Sequence, residues 1–314
     1  MSTRPRQEHV YQNDFIDSTR WEKFTPRDDD VIVCTSYKAG TTWTQMICAL
    51  MVHQTSELPA PLALLSPWLD ARLTAIDEIV AGLEKQPHRR VIKTHTALDG
   101  LPFYDTVTYV MCGRDPRDVF MSLQNHLANV DTQTFGIALA RQGIDLGEGP
   151  TPMPEDINER FKLWLNVGQF PWEQDGLPFW SHMRHAQTFW DHRDQPNLQF
   201  LHYADLKADL DGQMRRMAKI LDVEIDEAKW PALVQAAGFD EMKSNADRMA
   251  PDTNHGIWLS NSQFFNKGSN EQWRDALSAE SLATYQAVTR ARYPAELMDW
   301  LERGSIATGD PKGR

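Results

Sequence analysis

Four short apolar runs punctuate the chain: Val31-Ile32-Val33-Cys34, Arg90-Val91-Ile92-Lys93, Val107-Thr108-Tyr109-Val110-Met111-Cys112 and Leu198-Gln199-Phe200-Leu201-His202-Tyr203. Each is rich in β-branched or aromatic residues and ends in a polar turn, which predicts buried strands. Between and after them apolar positions recur at helical spacing. Trp43, Met46, Ile47, Leu50 and Met51 mark a helix over 42–53, and similar patterns predict helices near 74–85, 157–169, 180–193, 227–237 and 278–292. Pro116 suits the first position of a helix to about Asn129, Asp205 is read as the cap of one reaching about Leu221, and Pro294 marks a break. Strands alternating with helices imply one α/β domain with a central parallel sheet flanked by helices.

No repeat, heptad pattern or linker divides the chain, so residues 1–303 are read as one domain and 304–314 as a loose polar tail. Gly143, Gly147, Gly149, Pro150, Pro152 and Pro154 interrupt the pattern and predict a long mobile loop over about 130–158, a potential lid. Asp28, Asp29 and Asp30 are read as solvated charges leading into the first strand.

With 314 residues, 41% of them hydrophobic, the chain can bury a large core. A net charge of −12 argues against a nucleic-acid binder and against adsorption to anionic membranes. The first 20 residues are polar, and Met46 to Val52 is far shorter than the ~20 apolar residues that span a bilayer, so a cytoplasmic protein without stable membrane insertion is expected. Cys34, Cys48 and Cys112 lack metal or redox spacing and are read as buried thiols. His182, His185 and His192 join no carboxylate or cysteine in a ligand pattern and are assigned to helix packing and surface, so no metal is expected.

The chemistry concentrates where the first strand meets the first helix, in Thr35-Ser36-Tyr37-Lys38-Ala39-Gly40-Thr41-Thr42-Trp43. A helix N-terminus, a glycine, a lysine and two hydroxyls make a cradle for an anion. The lysine precedes the only glycine, so this is not the Gly-Lys-Ser/Thr order of a Walker A loop.

This segment resembles the first signature of the cytosolic sulfotransferase family. Lys93-Thr94-His95 is similar to the family's Lys-Thr/Ser-His, and Gly113 to Val119 with Ser122 is similar to its 3'-phosphate motif. Trp180-Ser181-His182 to Trp190, Tyr203 to Leu206, Phe239 with Met242, and Asn266-Lys267-Gly268 before Trp273 follow in the family's order. The resemblance implies that the co-substrate is 3'-phosphoadenosine-5'-phosphosulfate (PAPS), with 3'-phosphoadenosine-5'-phosphate (PAP) as its product and a small hydroxyl compound as acceptor. It assigns Lys38, Ala39, Gly40, Thr41, Thr42 and Lys93 to the 5'-phosphosulfate. Arg114, Ser122, Asn266, Lys267 and Gly268 fall to the 3'-phosphate, and Trp43, Phe239 and Tyr203 to the adenine. His95 is implied as general base, with Lys38 and Lys93 neutralising charge on the leaving phosphate. Phe103 and Tyr104 are expected to line the acceptor pocket, together with residues after Pro59 and the aromatic 130–180 region.

Three positions depart from the family: Tyr37 replaces a proline, Ala39 a serine and Asn266 an arginine. The last removes a charge from the 3'-phosphate site and predicts donor binding weaker by about 1.5–3 kcal/mol. The Pro59 to Asp70 segment is similar to bacterial relatives that act on lipid or glycolipid hydroxyls. The family's dimerisation motif is not found past Trp273, which leaves the oligomeric state open. Two other readings stand beside this one: an ATP-dependent P-loop phosphotransferase, and a nucleotide-binding protein without turnover.

Overall fold

The computed structural model describes residues 4–145, 153–251, 255–265 and 268–312. Strands β1 (Val31–Cys34), β2 (Val91–Thr94), β3 (Thr108–Gly113) and β4 (Leu198–His202) form one parallel sheet in the order β2-β1-β3-β4. Val31 pairs with Val91 on one side and Thr108 on the other, and Gly113 pairs with His202. Their register aligns all four carboxyl ends along one edge.

Side chains alternate between the sheet faces, and each face has its own core. Ile32, Ile92, Tyr109, Met111 and Phe200 join one apolar cluster; Val31, Val33, Val91, Val110 and Leu201 join the other. Apolar side chains on both faces explain why these runs read as continuously hydrophobic.

The second face is covered by α1 (Thr41–His53), the short α2 (Leu62–Leu65) and later helices. The first face receives α3 (Ile76–Glu84), α4 (Pro116–Ala128), and, after α5 (Thr132–Ala140), α6 (Ile157–Asn166) and α7 (His182–Trp190). Trp164, Trp180 and Trp300 are almost wholly buried in that layer. Pro116 opens α4 and Asp115 caps it, as its sequence suggested.

Several expectations need correction. The predicted helix ending near Leu221 is two helices, α8 (Tyr203–Ala208) and α9 (Leu210–Ile220), capped by His202 and Asp209. Asp205 caps neither, because its carboxylate accepts the N–H groups of Ser305 and Ile306 at 2.7 and 3.2 Å. Those bonds also dock part of the supposed loose tail. Beyond α10 (Trp230–Ala236), α11 (Phe239–Ser244), α12 (Ala246–Met249), α13 (Asn261–Phe264), α14 (Ala279–Arg292) and α15 (Ala295–Arg303), residues Ser305–Thr308 form α16.

The expected loop over 130–158 contains α5, which Asp131 caps by accepting from the N–H groups of Gln133 and Thr134. Gly147, Gly149, Pro150 and Pro152 lie outside the described residues. Asp30 is buried rather than solvated, since Arg90 donates from Nε to its Oδ1 at 2.9 Å and from Nη2 to its Oδ2 at 2.5 Å. The three cysteines are buried and free.

Candidate active site at the carboxyl edge of the sheet

The loop after β1 turns back on itself at two left-handed residues, Lys38 (φ 57°) and Gly40 (φ 98°). Gly40 takes the N-cap position of α1 without any side-chain cap, so the first amides of the helix remain available to an anion. A Cβ on Gly40 would come within 3.1 Å of the Tyr203 ring. Thr41 Oγ1 lies 2.5 Å from Thr35 Oγ1 and fastens the two ends of the loop, while Thr42, half-buried, follows it in the first turn. Ala39 is fully buried, and Ser36 Oγ has no hydrogen-bond partner among the described residues.

Tyr37 explains itself structurally. Its hydroxyl accepts from Trp164 Nε1 at 2.9 Å, and its ring packs edge-on against Phe179 and Trp180. The replacement for proline therefore ties the anion loop to the 164–180 segment.

Lys38, Lys93 and His95 converge beside this loop. His95 follows β2, is 6% exposed, and Nδ1 donates to the Thr35 carbonyl at 2.5 Å. That bond places the proton of the neutral ring on Nδ1 and the lone pair on Nε2. Burial, reinforced by the positive charge of Lys93, holds the imidazole well below its usual pKa, so it is neutral at pH 7. The Trp68 indole meets His95 edge-on at 4.5 Å between centroids and carries Lys93 Nζ 4.0 Å from its own.

Lys38 Nζ lies 3.4 Å from His126 Nδ1 and 4.3 Å from the centre of the Phe264 ring. Burial, then Arg114 and Lys93, lower its pKa to about 7. Three cationic side chains crowded at one edge of a chain with net charge −12 are an electrostatic liability until an anion joins them.

The residues expected at the nucleotide continue in a strip from the loop. Arg114 Nη1 donates to the Lys38 carbonyl at 2.8 Å, and the guanidinium lies 4.0 Å from the centre of the Tyr203 ring. Its Nε is buried and has no partner among the described residues. Tyr203 packs edge-on against Trp43, 5.3 Å away, and Trp43 Nε1 donates to the Ala237 carbonyl at 2.8 Å. Phe239 follows two residues later, at the start of α11.

Gly268 closes the strip. With φ at 59°, its backbone passes so near Phe239 that a Cβ would lie 2.6 Å from the ring. Asp118 on α4 then accepts the N–H groups of Glu271 and Gln272, at 2.9 and 3.1 Å, and Ser122 lies one helical turn further along α4. Asn266 and Lys267 lie outside the described residues.

An orphaned guanidinium nitrogen, an uncapped helix start and a lysine depressed by burial and by like charges fit a ligand with phosphates at both ends. Among the described residues, no group of three His, Cys, Asp or Glu side chains is arranged to hold a metal ion.

Phe103 and Tyr104 are corrected by the structure. Phe103 stacks on Tyr109 at 5.1 Å, the Tyr104 N–H donates to Tyr109 Oη at 2.9 Å, and Asn197 Nδ2 donates to the Tyr104 carbonyl at 2.9 Å. Tyr109 and Asn197 stand at the amino ends of β3 and β4, so both residues pack at the edge opposite His95.

The aromatic wall near His95 comes instead from Trp68, Trp180, Phe179, Phe15 and Trp258. His126 belongs to it and sequence reasoning missed it, because one histidine in an amphipathic helix gives no local signal. His182 has a supporting place: its Nε2 is 3.0 Å from the Arg114 carbonyl.

A family model for the sulfotransferase domain matches residues 28–300. The glycolipid sulfotransferase of Mycobacterium bovis is 35% identical over 313 residues, covering 94% of each chain. The luciferin sulfotransferase of Photinus pyralis is 26% identical and covers 85% of this chain and 72% of its own. Among solved structures, mouse sulfotransferase SULT7A1 complexed with PAP superposes with a TM-score of 0.66 at 17% identity, covering 90% of this chain and 92% of its own. Retinol dehydratase with androsterone and PAP gives the same TM-score at 21% identity, covering 89% and 88%. The uncapped anion loop, the neutral histidine beside it and this match along nearly the whole length agree: the chain belongs to the sulfotransferase family.

Proposed function

We propose that this sulfotransferase moves a sulfuryl group from PAPS to a hydroxyl of a glycolipid acceptor in the cytoplasm. The observation that carries the reading is the convergence of Lys38, Lys93 and His95 on one loop whose helix start has no cap. The glycolipid class is supported by the 35% identical mycobacterial relative of that name. An acceptor with an apolar part also suits the aromatic wall, and a cleft opens beside Trp68 between Leu64, Pro67, Leu73 and Ile79. A cytoplasmic place agrees with three free, buried thiols.

The residues divide the work. Nε2 of His95 takes the acceptor's hydroxyl proton as its oxygen bonds to sulfur. The bond between sulfur and the 5'-phosphate oxygen breaks, and that oxygen keeps the electron pair. Lys38 and the amides of α1 offset its growing charge, while Lys93 holds the transferred group. Arg114 and Ser122 take the 3'-phosphate, Trp43 and Phe239 flank the adenine, and Tyr203 reaches its edge.

Sulfur-35 PAPS offered with 4-nitrophenol, dodecanol or octyl glucoside tests the reaction, and calorimetry with PAP against ATP tests the donor. Label in the glucoside and a preference for PAP are expected. Phosphate transfer from ATP with weaker PAP binding would establish the phosphotransferase reading instead, and PAP binding without transfer to any acceptor the binding-protein reading.

A further inference from the structure

The site rests on a carboxylate that lies outside the segments assigned to the nucleotide and the general base. Asp70 is fully buried and accepts four hydrogen bonds. Trp68 Nε1 donates to its Oδ1 at 2.6 Å. Its Oδ2 receives Trp21 Nε1 at 3.1 Å, Thr96 Oγ1 at 2.6 Å and Thr94 Oγ1. None of its donors is cationic, and it takes part in no salt bridge among the described residues.

Three of the four donors adjoin the proposed base. Thr94 and Thr96 are the residues on either side of His95, and they are linked to each other, the Thr96 N–H donating to Thr94 Oγ1 at 3.0 Å. Trp68 covers the His95 ring and the Lys93 ammonium. The segment carrying Asp70 is itself fixed: Lys93 N–H donates to Pro67 O at 2.9 Å, and Asp17 N–H to Asp70 O at 2.8 Å.

A buried carboxylate costs more than an apolar residue of its size unless its bonds do something a hydrocarbon cannot. Here they set two torsions at once, the backbone on both sides of His95 and the plane of the Trp68 indole. We infer that Asp70 is a positioning residue for the sulfuryl-transfer step, aiming His95 Nε2 and Trp68 at the acceptor hydroxyl. The inference rests on the sulfotransferase reading above.

Asp70→Asn keeps the shape but turns one acceptor into an NH2 group. Whichever way the amide faces, either Trp68 or Trp21 meets a donor in place of an acceptor. Thr96→Val removes one arm and leaves the carboxylate intact, which provides a second variant should the first unfold.

Three readouts decide the matter: the kcat and KM for octyl glucoside, the Kd for PAP, and the nitrogen-15 spectrum of the His95 imidazole. For Asp70→Asn the expected result is a kcat loss of about 10- to 100-fold, since small misplacements near the reacting atoms have that effect. PAP affinity should stay within about threefold, and His95 should show mixed tautomers where the native protein shows protonated Nδ1. Thr96→Val should lose about 3- to 10-fold in kcat with the same split. The inference is overturned if folded variants keep native kcat or a native imidazole spectrum, or if kcat and PAP affinity fall together in step with melting temperature. The imidazole spectrum decides it even without turnover; native protein that transfers nothing to octyl glucoside, 4-nitrophenol or dodecanol counts instead against the functional reading.

Discussion

At the residue scale the account turns on two depressed bases. Lys38, with its pKa lowered to about 7 by burial and by Arg114 and Lys93, sits among positive charges until an anionic ligand arrives. Binding of PAP should raise that pKa again, so the complex takes up a proton near pH 8. Calorimetry in two buffers of different ionisation heat measures this directly, and an enthalpy independent of buffer would contradict it. His95 is depressed as well, so it stays unprotonated below pH 6.5. The acid limb of kcat/KM for PAPS, which reports the free enzyme, should therefore have its midpoint below pH 6.5; a midpoint at 6.5 or above would mean another group is the base. His126, 3.4 Å from Lys38, gives a third case. His126→Phe keeps the aromatic wall but removes a neutral nitrogen that can accept from the Lys38 ammonium, and should shift the PAP-linked proton uptake to lower pH while leaving transfer measurable.

At the scale of elements, the strand, loop and helix from Val31 to His53 was readable because each part is local: a β-branched run, a glycine turn, a helical period. The strands moved by no more than one residue at either end from their expected bounds. Contacts across the chain were not readable. The Asp205 carboxylate looks like a cap until Ser305, a hundred residues on, is seen to use it. Phe103 and Tyr104 carry the composition of a pocket wall, yet Tyr109 and Asn197 draw them to the far edge of the sheet. Gly268 shows a long-range constraint that a motif records without explaining, since only the Phe239 ring reveals why no side chain fits. Gly268→Ala should push that ring aside and weaken PAP binding by about 1–3 kcal/mol, with melting temperature little changed. Unaltered PAP affinity in that variant would remove Phe239 from the adenine site.

At the scale of the whole molecule, burial leaves an acid sensitivity. His95, His126, His182, His185 and His202 all have folded pKa values below 6.5, with His182 lowered to about 4 and His185 to about 3. Below pH 6.5 the unfolded chain binds protons that the folded one refuses, so their contribution to stability is lost as pH falls from 6.5 toward those values. Glu173, raised to about 8 by burial, works the other way from 4.5 to 8, and the carboxyls of Asp118, Asp175, Asp191 and Glu302, also raised by burial, act in the same sense, so the contribution of a histidine is read by replacing it. Measured against a His185→Phe variant, native melting temperature should therefore fall between pH 6.5 and 4.5, and a difference that does not change with pH would contradict the neutral burial of this ring. The assembled edge of the sheet is what this stability serves, and its central claim is that donor binding and proton removal belong to different residues. His95→Ala separates them: PAP dissociation constant and single-turnover sulfur-35 transfer, measured on the same preparation. The account predicts PAP affinity within about threefold of native and transfer reduced at least ~100-fold. Near-native transfer, or a loss of PAP binding as large as the loss of transfer, would contradict it.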